Sequence, residues 1–182
     1  MATNSKSASN LSPEYLMLGY LAKESTHGYE LYQLINTDLA QIWHLSMSQI
    51  YNILARLENK TLIRAEEEVQ ENQRVRKMLH LTESGRAHFE AWLFKPSPCS
   101  GRALRIEFLT RHYFMQRLHP ERIPQMISEQ ILQIEHDLTV IESMQQKIDA
   151  SDFYNSSAVQ LKIDQLHTFQ HWFNQLQQEQ ST

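Results

Sequence analysis

Apolar residues along this chain follow a helical period almost throughout and an alternating one in a single stretch. The first helical segment is PEYLMLGYLAKE, with Ser12 as N-cap and Pro13 at the first helical position. A second starts at Thr26, whose hydroxyl is placed to cap HGYELYQLI, and its Leu31, Leu34 and Ile35 share one face. A third begins near Ser46 and turns Ile50, Leu54 and Leu57 inward. The period then changes. Leu62–Ala65 and Val75–Leu81 alternate like strands on either side of the polar EEEVQENQR, which predicts a β-hairpin with a polar tip. Thr82 caps a further helix, ESGRAHFEAWL, whose Phe89, Trp92 and Leu93 form one apolar face. The order helix, helix, helix, strand, strand, helix predicts a winged helix-turn-helix, a scaffold used mainly to read DNA, although fold alone does not fix function.

The pattern breaks at FKPSPCSG, residues 94–101, which marks a domain boundary. Beyond it the chain is helical by pattern in three segments. In the middle one Ile127, Ile131, Ile134, Leu138, Ile141 and Ile148 follow alternating steps of four and three, with Gln145 the polar occupant of the seam. The last carries Val159, Ile163, Leu166, Phe169, Trp172, Phe173 and Leu176 on a broad apolar face. The expected architecture is mainly α. It comprises a disordered arm at 1–10, a winged helix-turn-helix with a two-stranded β wing at 11–95, and an α-helical dimerisation domain at 102–179. Ile127, Ile131, Ile134, Leu138, Ile141, Ile148, Leu166 and Phe173 are expected to bury themselves in a homodimer.

Composition narrows the classes. With 4 glycines in 182 residues and no GxGxxG or GxxxxGK[ST], a Rossmann or P-loop enzyme is not expected, and no GxSxG elbow or other catalytic spacing occurs. A single cysteine, Cys99, cannot make an internal disulfide. There is no apolar run long enough to cross a bilayer, and the polar MATNSKSASN lacks the apolar core of a signal peptide, so a cytoplasmic protein is expected. The net charge of −4 argues against a globally basic nucleic-acid binder but not against a locally basic one.

The chain resembles the PadR-type transcriptional regulators. The likeness rests on Thr26-His27-Gly28-Tyr29-Glu30-Leu31, on Ser48-Gln49-Ile50-Tyr51-Asn52-Ile53-Leu54-Ala55-Arg56-Leu57-Glu58 and on Leu81-Thr82-Glu83-Ser84-Gly85-Arg86, in that order and spacing. From Leu104-Arg105-Ile106-Glu107-Phe108-Leu109 onward it looks like the longer helical domain of the PadR and virulence-activator branch. The resemblance implies a homodimer that represses, or less often activates, transcription. It also implies recognition helices and wings on a roughly palindromic operator, and release by a small aromatic or phenolic effector. Two departures stand out. Where a glycine is usual, Ser48-Gln49 precede the Ile-Tyr pair and Asn59-Lys60-Thr61 precede the first wing strand. The second substitution predicts that Asn59 or Lys60 takes a positive φ, which Asn tolerates best.

With Ile50, Leu54 and Leu57 in the core, the third helix turns Ser48, Gln49, Asn52 and Arg56 outward. Gln and Asn suit adenine, Arg suits guanine or phosphate, and Ser suits either, though any exposed helix face is polar. Tyr51, beside them, either touches phosphate through its hydroxyl or packs with an edge exposed. At the start of the second helix, Tyr29 is carried over as a phosphate contact by the resemblance; the plain alternative is that it fills the core while Gly28 allows close packing. The wing adds Arg74, Arg76 and Lys77. Against them stand Glu66, Glu67, Glu68 and Glu71, so some glutamates are expected to point away from DNA. His167 and His171, four apart, lack a third ligand at recognisable spacing, and no metal or other cofactor is expected. Cys99 reads as an ordinary thiol. Aromatic residues in the second half and Trp92 suit either a flat apolar ligand or a dimer core, core packing being favoured. The reading from another functional class is a protein–protein adaptor built on the winged module. Splitting the charge shows 10 basic and 11 acidic residues in 1–95 against 7 and 10 in 96–182, so the excess acidity lies mostly in the second half.

Overall fold

The computed structural model describes residues 12–69, 75–149 and 151–180. It divides into two compact units. The first holds the described residues through Lys95 together with Leu109–Leu118. The second holds Pro96–Phe108 and the chain from His119 onward.

At the centre of the first unit is α1 (Glu14–Lys23), opened by Ser12, whose Oγ accepts from the Glu14 N–H at 3.3 Å. Leu16, Met17, Leu18, Tyr20 and Leu21 are all buried, so this helix is enclosed on several sides rather than amphipathic. Around it lie α2 (Gly28–Asp38), α3 (Met47–Asn59) and α4 (Glu83–Leu93). Ser46 caps α3 with a reciprocal pair: its Oγ accepts from the Gln49 N–H, and Gln49 Oε1 accepts from the Ser46 N–H at 2.8 Å. Thr82 caps α4 through the Gly85 N–H at 3.0 Å. Gly85 is obligatory there, because a Cβ would sit 2.0 Å from the Leu62 carbonyl oxygen.

The expected wing strands are β2 (Ile63–Val69) and β3 (Val75–Leu81), but the sheet has a third member, the two-residue β1 (Thr26–His27), in the order β1-β3-β2. Thr26 pairs with Leu79 and His27 with Met78. This overturns the expected cap: Thr26 is a strand residue whose hydroxyl donates to the Glu30 carboxylate, and His27 is the residue before α2. β2 also runs further than the alternation suggested, through Glu66, Glu67 and Glu68. Glu67 lies opposite Lys77 and Glu68 opposite Arg76, cross-strand pairs that favour continued pairing over a loop. Ahead of the wing, the positive φ of 57° falls on Thr61, not on Asn59 or Lys60. Lys60 is needed to close α3, its N–H donating to the Arg56 carbonyl, so the left-handed turn comes one residue later.

Helix α5 (Leu109–Leu118) was expected within the dimerisation domain and instead packs with the winged elements. Trp43 Nε1 donates to Thr110 Oγ1 at 2.8 Å, and Tyr113 donates to Asp38. Phe114 lies on Gly19, where a Cβ would be 2.5 Å from the ring. Only glycine permits that approach.

The second unit contains a π-helical segment (Ala103–Phe108) and a 3-10 turn (Pro120–Arg122) that leads into α6 (Ile123–Gln145). The last helix is α7 (Phe153–Glu179). α6 and α7 run antiparallel, as cross-links from Gln145 to Gln160 and from Gln177 to Ser128 record. The apolar seam expected between two chains is filled within one. Ile127, Ile131, Ile134, Leu138 and Ile141 of α6 are buried together with Ile163, Leu166 and Phe173 of α7 in the single chain. Ile148 lies beyond the end of α6 and is half-buried, so it does not extend the seam.

Candidate nucleic-acid interface

The capping pair at Ser46 fixes the rotation of α3, and the burial of Ile50, Ile53, Leu54 and Leu57 settles which side remains free. Ser48, Gln49, Tyr51, Asn52 and Arg56 are all exposed, as expected. The helical period adds two residues not assigned to DNA contact from the sequence. Ala55 and Asn59 are exposed, and with Ser48 and Asn52 they recur at steps of three and four along the middle of the free face. Their spacing was the available signal. Ala55 offers a methyl group of the kind that meets thymine, and Asn52 an amide of the kind that pairs with adenine.

Two of the expected residues are already engaged. Gln49 spends its carbonyl oxygen on the Ser46 N–H, which leaves its amide NH2 for other partners. Arg56 Nε lies 3.5 Å from Glu14 Oε1, and Lys60 Nζ lies 3.0 Å from Glu14 Oε2. Glu14 thus gathers both cations of the last turns of α3 at one edge of the free face.

On the wing, successive residues point to opposite sides of the sheet. Ile63 and Leu79 are buried, so the side they share with Glu67 and Lys77 is the core side at its base. Arg64, Glu66, Glu68, Arg76, Met78 and His80 occupy the other side. Arg76 and Lys77, expected to act together, therefore diverge. Both are exposed; Arg74 lies outside the described residues. Of the acidic residues of β2, Glu66 is matched: Arg64 pairs with it, and His80 Nε2 lies 3.3 Å from the same carboxylate.

Where α2 begins, α3 and the wing approach one another around a groove of about 350 Å³ lined by His27, Gly28, Tyr29, Tyr51, Arg76 and Lys77. Tyr29 and Tyr51 are 54% and 52% exposed, which decides against the reading in which Tyr29 fills the core. Glu30 also lines this groove. The Thr26 hydroxyl, and after it the His27 N–H, holds its carboxyl below the usual range, so it is a fixed negative charge at neutral pH.

The first unit also encloses a smaller cavity, about 140 Å³, beside Tyr20, Asp38, Tyr113 and Arg117. Its polar groups satisfy one another: Tyr20 donates to the Leu34 carbonyl, Tyr113 to Asp38, and Arg117 stacks on the Tyr113 ring. In the second unit, burial pushes the Cys99 thiol up to about 12, leaving almost no thiolate at neutral pH. No helix among the described residues is long and apolar enough to cross a membrane.

Residues 17–91 match the model of the transcriptional regulator PadR-like family. The negative transcriptional regulator PadR of Bacillus subtilis (strain 168) is 27% identical over 138 residues, 76% of this chain and 75% of its own length. The probable transcriptional regulator Rv1176c of Mycobacterium tuberculosis is 28% identical over 82 residues, 45% of this chain and 43% of its own length. Among solved structures, Bacillus subtilis PadR in complex with operator DNA is similar with a TM-score of 0.47 and 23% identity, covering 91% of this chain and 97% of that one.

Proposed function

We propose that this chain, whose residues 17–91 match the PadR-like family of transcriptional regulators, binds operator DNA sequence-specifically, as a homodimer and as a repressor. The observation that carries this reading is the free face of α3. Its central line of Ser48, Asn52, Ala55 and Asn59 matches the donors, acceptors and methyl groups of a major groove, and it is flanked by Tyr51 on one side and Arg56 on the other. Repression follows the sign of the Bacillus subtilis relative, a negative regulator.

Ile134 and Leu138 are occupied within the chain and so are not the proposed dimer contact. The proposed contact moves to what remains apolar and exposed. Tyr154, Leu161 and Trp172 are 83%, 61% and 41% exposed, and steps of seven and eleven return them to one side of α7. A small aromatic effector completes the proposal, with p-coumaric acid, found bound to Bacillus subtilis PadR, as the first compound to try.

The test is selection of duplexes from a random library by the purified protein, followed by salt titration of the winners. Enriched sequences with inverted half-sites, and affinity that falls steeply with salt, are expected. Asn52→Ala should relax discrimination at one base pair by about 1–3 kcal/mol. Arg56→Ala should weaken all sequences alike and lower the salt slope by about one. No enrichment and no salt dependence would sink the reading and favour an adaptor.

A further inference from the structure

Gln49 lies in the first turn of α3, the part of a recognition helix whose side chains meet base edges. Its amide is not free to face either way. The Ser46 N–H donates to Gln49 Oε1 at 2.8 Å, while the Gln49 N–H donates to Ser46 Oγ at 3.3 Å. A backbone N–H can only donate, so the atom turned to it is the oxygen, and the NH2 on the other arm of the same carbon is what the side chain has left to offer. Among the described residues that NH2 has no hydrogen-bond partner, and Gln49 is exposed.

This changes which base the residue suits. Adenine presents N7 as an acceptor and N6 as a donor, so a glutamine reads it by holding its oxygen and its NH2 side by side against the edge. An oxygen turned back onto the main chain of its own helix is not so presented. Turning it outward would unmake one half of the reciprocal cap and return a backbone N–H to solvent, so the donor-only posture is the one that satisfies helix and DNA together. Guanine presents two acceptors, N7 and O6, whereas thymine presents one beside a methyl group. The first turn of α3 contains no acidic residue, so the positive end of the helix dipole adds to the same preference for an acceptor-rich edge.

We propose that Gln49 is a donor-only reader of the operator: held by the Ser46 N–H, it selects guanine at its base pair and not the adenine that an unrestrained glutamine suits. This rests on the DNA-binding reading above and names the base that one residue of that surface specifies.

The experiment selects duplexes from a random library with the full chain, as wild type, Gln49→Glu and Gln49→Ala, and then measures competition among the four base pairs at the position where the three differ. The wild type should prefer guanine there by about fivefold or more. Gln49→Glu keeps the cap, since one carboxylate oxygen still accepts from the Ser46 N–H, and presents an acceptor where the wild type presents a donor. It should therefore reverse the pair, taking cytosine, whose N4 donates, in place of guanine. Gln49→Ala should bind all four pairs there alike while keeping the preferences at the other positions. A wild-type preference for any pair but this one, retention of guanine by Gln49→Glu, or selected sites that do not move with residue 49 would overturn the proposal while leaving the DNA reading intact. No enrichment by any of the three proteins, with no salt dependence of binding, would overturn both.

Discussion

The two units of this chain are held by different means. In the winged unit nearly every change of direction has its own polar lock: the reciprocal pair at Ser46 and Gln49, the Thr26–Glu30 contact, and Thr82 donating to the Thr61 and Leu62 carbonyls while accepting from Gly85. The unit of α6 and α7 relies on one long apolar seam. Polar locks name their partners, because a hydroxyl finds one carbonyl or one N–H. An apolar stripe names only a property, and any stripe of matching length will fill it. The winged unit therefore specifies a surface with individual side chains in place, whereas the α6–α7 unit specifies a scaffold and leaves Leu132, Tyr154 and Leu161 for further use.

The largest expected effect would break this contrast at the seam. Ile134 is fully buried between α6 and α7. Ile134→Asp removes the apolar side chain, a loss of about 2–5 kcal/mol, and adds an unpaired carboxylate to the same site. Hydrogen exchange should show loss of amide protection throughout α6 and α7 with the helices of the winged unit unchanged. Leu161→Glu with Trp172→Glu, by contrast, should keep that protection and shift the sedimentation of any dimer to that of a monomer. If Ile134→Asp yields a folded monomer instead, the seam belongs between chains after all.

That outcome bears on what was legible in the sequence. The period of Ile127, Ile131, Ile134, Leu138 and Ile141 identified the buried residues correctly, yet periodicity carries no information about which helix covers them. The choice is made by entropy. α7 follows α6 after a short connection, so its docking costs only loop closure, while a second chain must also give up its free translation and rotation. On α3 the same period was enough, because the covering elements were adjacent and Ser46 fixed the start. Cross-strand partners were not legible: the pairing of Glu67 with Lys77 and Glu68 with Arg76 needs the register, and without it the wing read as an excess of glutamates. The pairing of Thr26 with Leu79 depends likewise on a contact 53 residues away in sequence.

A smaller effect sharpens the comparison at a buried polar lock of the second unit. The amide of Gln130, 1% exposed, accepts from the Ser97 N–H at 2.7 Å and donates to the Ser97 carbonyl at 3.0 Å. It thereby completes a buried stretch of the linker as a neighbouring strand would. Gln130→Leu fits the space but removes both hydrogen bonds to Ser97, a loss of about 1–3 kcal/mol read as a lower urea midpoint. Gln130→Glu keeps the acceptor and loses the donor, so it should fall between the two. Equal stability for all three would mean that the apolar seam alone holds this unit.

The smallest effect concerns the cost of a lock in the winged unit. Thr61 has a φ of 57°, a conformation that costs a non-glycine residue about 1–2 kcal/mol, and more readily so when β-branched. The position is kept by main-chain bonds: the Thr61 N–H donates to the Glu58 carbonyl at 2.9 Å, and its own carbonyl accepts from Thr82 at 2.8 Å and Ser84 at 3.1 Å. Glycine retains all three. The Thr61 hydroxyl donates only to the exposed Lys60 carbonyl, where water substitutes freely. Thr61→Gly therefore relieves the strain and gives back part of the gain, about 0.5–1 kcal/mol, through the greater freedom of the unfolded chain. A net stabilisation of about 0.5 kcal/mol is expected, seen by calorimetry as a rise in Tm of about 1–4 °C. Thr61→Ala keeps the left-handed strain and should change Tm far less. Should the glycine variant melt lower than the wild type, the threonine side chain contributes to the wing, and the strain there is offset by contacts of its own rather than by Thr82 and Ser84.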